Sequence, residues 1–152
     1  NKIEREDTKG RRRRYYRIHN LHSRISEIAE SEPGTFNLRK AERLFSEASY
    51  YYNSIGDIGG VALTQGSLAN ILRRHGDLIK ARSLFLEAIS LMRLAEDLDG
   101  ESFMIGGLAF VARDQGDLEE AGMLMAESIR ITLENGGELA DWQRIDRVTN
   151  PE

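Results

Sequence analysis

The residues best suited to chemistry by type and spacing come early in the chain, where RRRRYYR occupies positions 11–17. A basic run with adjacent aromatic residues can hold phosphates, so Arg11–Arg14 could contact nucleic acid. Short basic runs are also common as the solvated start of a helix. Nucleic-acid binding through this run is therefore kept as an alternative function.

Two histidines, His19 and His22, lie three residues apart, near enough on a helix to share a metal ion. No cysteine accompanies them, and the nearest acids, Glu27 and Glu30, lie more than a turn away. The pattern favours exposed surface histidines, and we predict no metal site.

Motifs for catalysis are absent from the sequence. It contains no Walker loop, HExxH, nucleophile elbow or dinucleotide fingerprint. Its acidic residues fall at helix caps and on outer faces, where helix stability already explains them. We predict a protein that is not an enzyme and that needs no cofactor.

Composition bounds the class of protein. A chain of 152 residues with 30% charged and 40% hydrophobic residues suits one globular domain. No apolar run approaches membrane-spanning length, which predicts no membrane partner, and the absence of cysteine fits a reducing, cytoplasmic location. Because the chain begins at Asn1 and not at methionine, we expect that an upstream part was removed or left out.

Helices must position any site, and residues 76–100 show how they are built. Apolar residues recur there at steps of three and four, which places them on one helix face. Gly76 suits the end of a helix and Asp77 suits the N-cap of the next, so a Gly-Asp pair joins two antiparallel helices. Asp117 and Glu120 form a possible capping box at a later boundary.

The same pattern recurs three times. NLRKAERLFSEA at 37–48, DLIKARSLFLEA at 77–88 and DLEEAGMLMAES at 117–128 start 40 residues apart. Self-similarity at this spacing indicates stacked helical units, each unable to bury its apolar face alone. The sequence therefore predicts an all-α fold.

This pattern resembles the tetratricopeptide repeat (TPR) family, in a long-period, bacterial-type form. The residues that carry the resemblance in the middle repeat are Leu68, Ala69, Leu72, Gly76, Asp77, Ala81, Phe85 and Ala88. The resemblance implies a right-handed superhelix of three antiparallel helix pairs plus a C-terminal capping helix. The expected organisation is a flexible lead at 1–10 and a single TPR-like domain at 11–150, with repeats at about 20–55, 58–95 and 98–135 and a cap at 138–148.

The resemblance also implies a function class, a non-enzymatic scaffold that binds a protein or an extended peptide. The link between repeats is similar to that of helical arrays attached to bacterial transcriptional activators and signalling NTPases. That similarity suggests the sensor or docking part of a larger regulatory protein. A self-associating structural module, joined through an uncovered end of the array, is a second alternative.

Arrays of this family bind along the inner face formed by the first helix of each pair. Asn70 and Phe110 fall outside the apolar stripes of their helices, so we do not expect them to belong to the hydrophobic core. Arg73 and Arg113 hold equivalent places, expected roughly 18–20 Å apart at two helix spacings, which predicts an extended peptide with acidic groups about six residues apart. Gly66 and Gly106 lack side chains and would leave the floor of the groove open for the close approach of a peptide. The alternative is that the phenylalanines pack against neighbouring helices and the arginines are merely solvated. By family position the predicted peptide-binding residues are Leu63, Gly66, Asn70, Arg73, Phe103, Gly106, Phe110 and Arg113.

Overall fold

A computed structural model describes residues 38–150 of the chain. The predicted lead at 1–10, the basic run Arg11–Arg14, His19, His22 and the first half of the first predicted repeat lie outside these residues. Five helices of 17 residues follow one another and a short sixth helix ends the described part: α1 Leu38–Ser54, α2 Ile58–Arg74, α3 Leu78–Leu94, α4 Leu98–Asp114, α5 Leu118–Glu134 and α6 Ile145–Thr149. Residues 38–150 contain no strand, so the prediction of an all-α fold is confirmed.

Three-residue links join α1 through α5, and each link ends in an aspartate that caps the next helix. In all four, the carboxylate accepts a hydrogen bond of 2.9–3.2 Å from the backbone N–H three residues later. This bond satisfies one of the N–H groups that the first helical turn leaves without a partner. The capping residues are Asp57, Asp77, Asp97 and Asp117.

The residue before each capping aspartate has a positive φ angle. Gly56, Gly76 and Gly116 adopt φ angles of 70–88°, which a residue without a Cβ reaches at no steric cost. In the third link this position is held by Glu96, at a φ of 54°. The Gly-Asp pairs predicted as helix boundaries therefore act as expected, and Glu96 adopts the glycine conformation without being glycine.

The predicted capping box at Asp117 is half formed. Asp117 accepts from the backbone N–H of Glu120, but the Glu120 carboxylate binds the guanidinium of Arg82 on α3 and not the Asp117 backbone. Glu120 therefore links α5 to α3.

The chain divides into two compact units within α1, between Glu47 and Ala48. The described part of the first unit is the start of α1, where Ala41 and Phe45 are buried. Whether residues 11–150 form the single domain predicted from the sequence stays a prediction.

In the second unit the helices pack in chain order, α2 on α3, α3 on α4 and α4 on α5, and α2 also contacts α4 directly. Small residues allow the close approaches. Ala81 and Ala121 have no exposed surface, and a Cβ on Gly107 would lie 2.4 Å from Cε1 of Phe85. The α2–α3 pair spans the predicted second repeat, and the α4–α5 pair spans the third.

The C-terminal segment, residues 138–150, packs on α4 and α5. Its helical part begins at Ile145 and not at 138, because residues 137–140 form no regular structure and the chain turns at 141–142. Val148 is fully buried in a cluster with Ala109, Ala112, Ala121 and Met125, and Trp142 packs against the same cluster. Ile145, in the same short helix as Val148, is 46% exposed.

Candidate functional site

The structure brings four of the predicted site residues together across α2 and α4. The guanidinium of Arg73 lies over the ring of Phe110, 5.6 Å from its centroid, and that of Arg113 lies 4.9 Å from the same centroid. Arg73 also donates from Nε and Nη2 to Oδ1 of Asn70, at 3.3 and 3.2 Å. Both cations thus stack on one aromatic ring, a favourable electrostatic arrangement.

A single carboxylate, that of Asp114, joins the two arginines. Its Oδ2 accepts from Arg73 Nη1 at 2.7 Å, and its Oδ1 accepts from Arg113 Nη2 at 2.8 Å. The expected separation of roughly 18–20 Å is therefore wrong for the two guanidiniums, since one carboxylate bridges them. It assumed that α2 and α4 are separated by two helix spacings, whereas these helices contact each other directly.

This arginine cluster, defined as Arg73, Phe110, Arg113 and Asp114, carries two positive charges against one negative charge. Each terminal nitrogen of the two guanidiniums has two N–H groups. Within residues 38–150, each of these nitrogens makes one hydrogen bond. That of Arg113 Nη1 goes to the backbone oxygen of Arg147, at 3.2 Å. The arginine side chains are 17% and 30% exposed, so water and solutes reach them. The cluster is a partly buried cation pair with N–H donors left to bind an anion.

The two predicted glycines do not leave the groove floor open, and that prediction is wrong. Gly66 is covered by Met104 of α4, and an added Cβ would lie 2.3 Å from its Sδ atom. Gly106 is covered by Trp142, and an added Cβ would lie 2.2 Å from Cζ3. Both glycines instead allow close packing, Gly66 against α4 and Gly106 against the C-terminal segment.

The last two predicted residues stand apart from the arginine cluster. Phe103 meets Trp142 edge to face, with ring centroids 5.7 Å apart, and is 51% exposed. Leu63 is half-buried on α2. Phe110 contacts the two arginines and also packs against the buried cluster around Met125 and Val148. The packing alternative therefore holds in part for both phenylalanines.

Sequence reasoning missed two residues that shape this face, Asp114 and Trp142. A comparison of the repeats could have indicated Asp114, because Arg73-Arg74 of one repeat corresponds to Arg113-Asp114 of the next. A change of sign at one repeat position marks a possible ion pair between neighbouring repeats. Trp142 lies within the predicted cap at 138–148, but no local sequence pattern indicates that its ring covers Gly106.

Residues 38–150 contain no group of three or more histidine, cysteine, aspartate or glutamate side chains that could hold a metal ion. None of the helices there combines the length and apolar character needed to cross a bilayer.

Comparison of the chain with protein-family models, with curated proteins and with solved structures finds no match in any of the three.

Proposed function

We propose that the chain is a non-enzymatic scaffold that binds an acidic protein segment or extended peptide at the arginine cluster. The observation that carries this proposal is the pair of guanidiniums, Arg73 and Arg113, held on one ring with more positive than negative charge. Asp114 and Asn70 hold the arginines in place before a ligand arrives. Little side-chain entropy is then lost on binding, which favours affinity.

The geometry changes the expected ligand. Both arginines reach one carboxylate, so a single acidic side chain, or two adjacent ones, suffices to contact both. Acidic groups about six residues apart are not required. An apolar side chain next to the acid would lie beside Phe110.

We further propose the TPR-like architecture that the sequence resemblance implies, with antiparallel pairs in a right-handed superhelix. Within it, the chain acts as the sensor or docking part of a larger, cytoplasmic regulatory protein. Support for these points comes from the repeat pattern and the Gly-Asp links, which join helices of equal length.

Fluorescence anisotropy with synthetic labelled peptides tests the proposal. The peptides carry one glutamate, two adjacent glutamates or two glutamates separated by apolar residues, each beside a leucine. We expect the adjacent pair to bind best, and we expect Arg73→Gln and Arg113→Gln each to weaken binding about tenfold, or about 1.4 kcal/mol. Arg130→Gln is the matched control, since Arg130 lies on α5 among its own helix partners, Glu127 and Glu134.

The alternatives give different results in the same assay. If Arg73→Gln and Arg113→Gln leave binding unchanged while substitutions at Arg11–Arg14 abolish it, the cluster is the wrong site. Binding of a nucleic acid in place of the peptides, weakened steeply by salt, would favour the nucleic-acid alternative. A mass that rises with protein concentration would favour the self-associating module.

A further inference from the structure

A set of buried hydroxyl groups lies between α4, α5 and the C-terminal segment. Ser102 Oγ lies 3.1 Å from Ser128 Oγ and 2.6 Å from Thr132 Oγ1. The side chain of Gln143 enters this hydroxyl pocket, and its Nε2 lies 2.8–3.2 Å from all three oxygens. All four residues are at most 9% exposed, so water competes poorly for these bonds.

The hydrogen-bond pattern suits a donor from the occupant. Backbone carbonyls lie within reach of the three hydroxyls: Ser102 and Ser128 each donate to the other's carbonyl at 2.8 Å, and Thr132 donates to that of Ser128 at 3.1 Å. Their oxygens are then left to accept, and an NH₂ group supplies two donors. Oε1 of Gln143 accepts from the backbone N–H of Ala140 at 3.1 Å, which fixes which end of the amide faces the pocket.

The hydroxyls of the pocket are absent from the equivalent positions of the preceding repeat. Forty residues earlier, the positions of Ser102, Ser128 and Thr132 are held by buried apolar residues. Replacing a buried apolar set by hydroxyls is unfavourable unless a polar group satisfies them. The apolar counterparts are Ala62, Ala88 and Met92.

The segment that fills the pocket is joined to α5 by an exposed connection. Gly136 has a φ of 75°, and residues 137–140 are exposed and form no helix. The side chains that anchor the segment are Gln143 in the pocket, Trp142 on Gly106 and Val148 in the apolar cluster, and Arg113 adds a hydrogen bond to the backbone oxygen of Arg147. Its anchoring is therefore concentrated in a few side chains.

We propose that the hydroxyl pocket and the adjoining Gly106 surface form a recognition site for an extended protein segment in which an aromatic residue is followed directly by glutamine. Residues 138–150 are a releasable strap that fills this site in cis. The primary amide is the recognised group, and the aromatic ring covers Gly106. The hydroxyl pocket shares no residue with the arginine cluster, although the strap also accepts a hydrogen bond from Arg113 of that cluster through the backbone oxygen of Arg147. The proposal does not depend on the acidic-peptide proposal.

Competition between strap and peptide tests the proposal on the full chain. The probe is a fluorescein-labelled synthetic peptide of residues 137–150, and its matched control carries leucine in place of Gln143. The cis strap competes at an effective concentration in the millimolar range, so the unaltered chain should bind the probe weakly. Chains carrying Gln143→Leu or Val148→Ala have weakened straps and should bind it at least about tenfold more tightly.

The two chain variants and the two peptides separate the outcomes. Val148→Ala leaves the hydroxyl pocket untouched and serves as a second readout if Gln143→Leu fails to fold, as judged by circular dichroism. The leucine peptide should bind either variant about tenfold or more weakly than the glutamine peptide, because it leaves the hydroxyl oxygens without donors. Equal affinity for the two peptides, or no binding to a folded Val148→Ala chain, would overturn the proposal.

Discussion

The indole ring of Trp142 lies against the backbone of Gly106, so close that a Cβ there would lie 2.2 Å from Cζ3. This contact holds the C-terminal segment on α4. An equivalent contact joins α4 to α2, where Met104 covers Gly66. The segment therefore continues the packing of the helices before it, although most of it is not helical.

Gly106→Ala should loosen this segment. The added methyl must displace the ring, and overpacking of this kind costs about 1–3 kcal/mol. The chain has one tryptophan, so its fluorescence emission reports the displacement directly, as a shift to longer wavelength. Gly59→Ala is the control, since the nearest atom to a Cβ there is 3.6 Å away, and it should leave both the emission and the unfolding midpoint nearly unchanged. Identical emission from the two variants would contradict the packing described.

Glu96→Gly should stabilise the protein. Glu96 adopts a φ of 54°, a conformation that is unfavourable for residues with a Cβ and open to glycine. We expect the free energy of unfolding to rise by about 0.5–1 kcal/mol, measured by urea denaturation. The reverse change, Gly76→Ala, should lower it by a similar amount, because φ there is 86° and no neighbouring atom lies within 4 Å to obscure the backbone effect. A loss of stability in Glu96→Gly would show that the glutamate side chain matters more than its backbone strain.

Alkaline pH should destabilise the protein through Tyr52. Burial raises the pKa of Tyr52 above 10.0, with a smaller contribution from the charge of Asp57. A raised pKa in the folded state means that the neutral phenol is favoured on folding. Its contribution to stability is complete below the unfolded pKa and is lost as the pH rises through the folded value. Urea unfolding at increasing pH should therefore show a decline above about pH 10 that is smaller in Tyr52→Phe. The exposed neighbour Tyr50 provides the control, and Tyr50→Phe should leave the decline as it is.

Ala81→Leu should be strongly destabilising. Ala81 has no exposed surface, and its small side chain allows close helix packing, so a larger one costs about 1–3 kcal/mol or more. Ser83→Leu places the same side chain on the exposed face of the same helix and should change stability by no more than about 0.5 kcal/mol. Thermal denaturation of the two variants compares them directly. An Ala81→Leu protein as stable as Ser83→Leu would disprove the close-packing explanation.

The helices and their links were predictable because their signals are local. An aspartate that caps its own helix, or a glycine that takes a positive φ, acts within a few residues of sequence. The apolar spacing then identifies the buried face, as at Ala81 and Phe85. The link at Glu96 was less evident, because the neighbouring Asp97 caps α4 without a glycine before it.

The candidate site was predictable only in part, because it depends on distances between helices. Repeat position selected Asn70, Arg73 and Arg113, which do meet. How near the arginines come was not predictable, since direct contact of α2 with α4 follows from the packing of two separate helices. The coverage of Gly106 by Trp142 likewise depends on where a non-helical segment settles.

The regular interval of the helices has a consequence for how such a chain can grow. Helices α1 to α5 begin at residues 38, 58, 78, 98 and 118, each 20 residues after the one before. A tandem duplication of residues 58–97 would add two helices and two links without disturbing the phase of those that follow. A duplication of 98–137 would instead place a second set of hydroxyls beneath a new helix that lacks the glutamine of the strap. Recombination can therefore lengthen this chain from its middle, while its C-terminal unit is suited to a single copy.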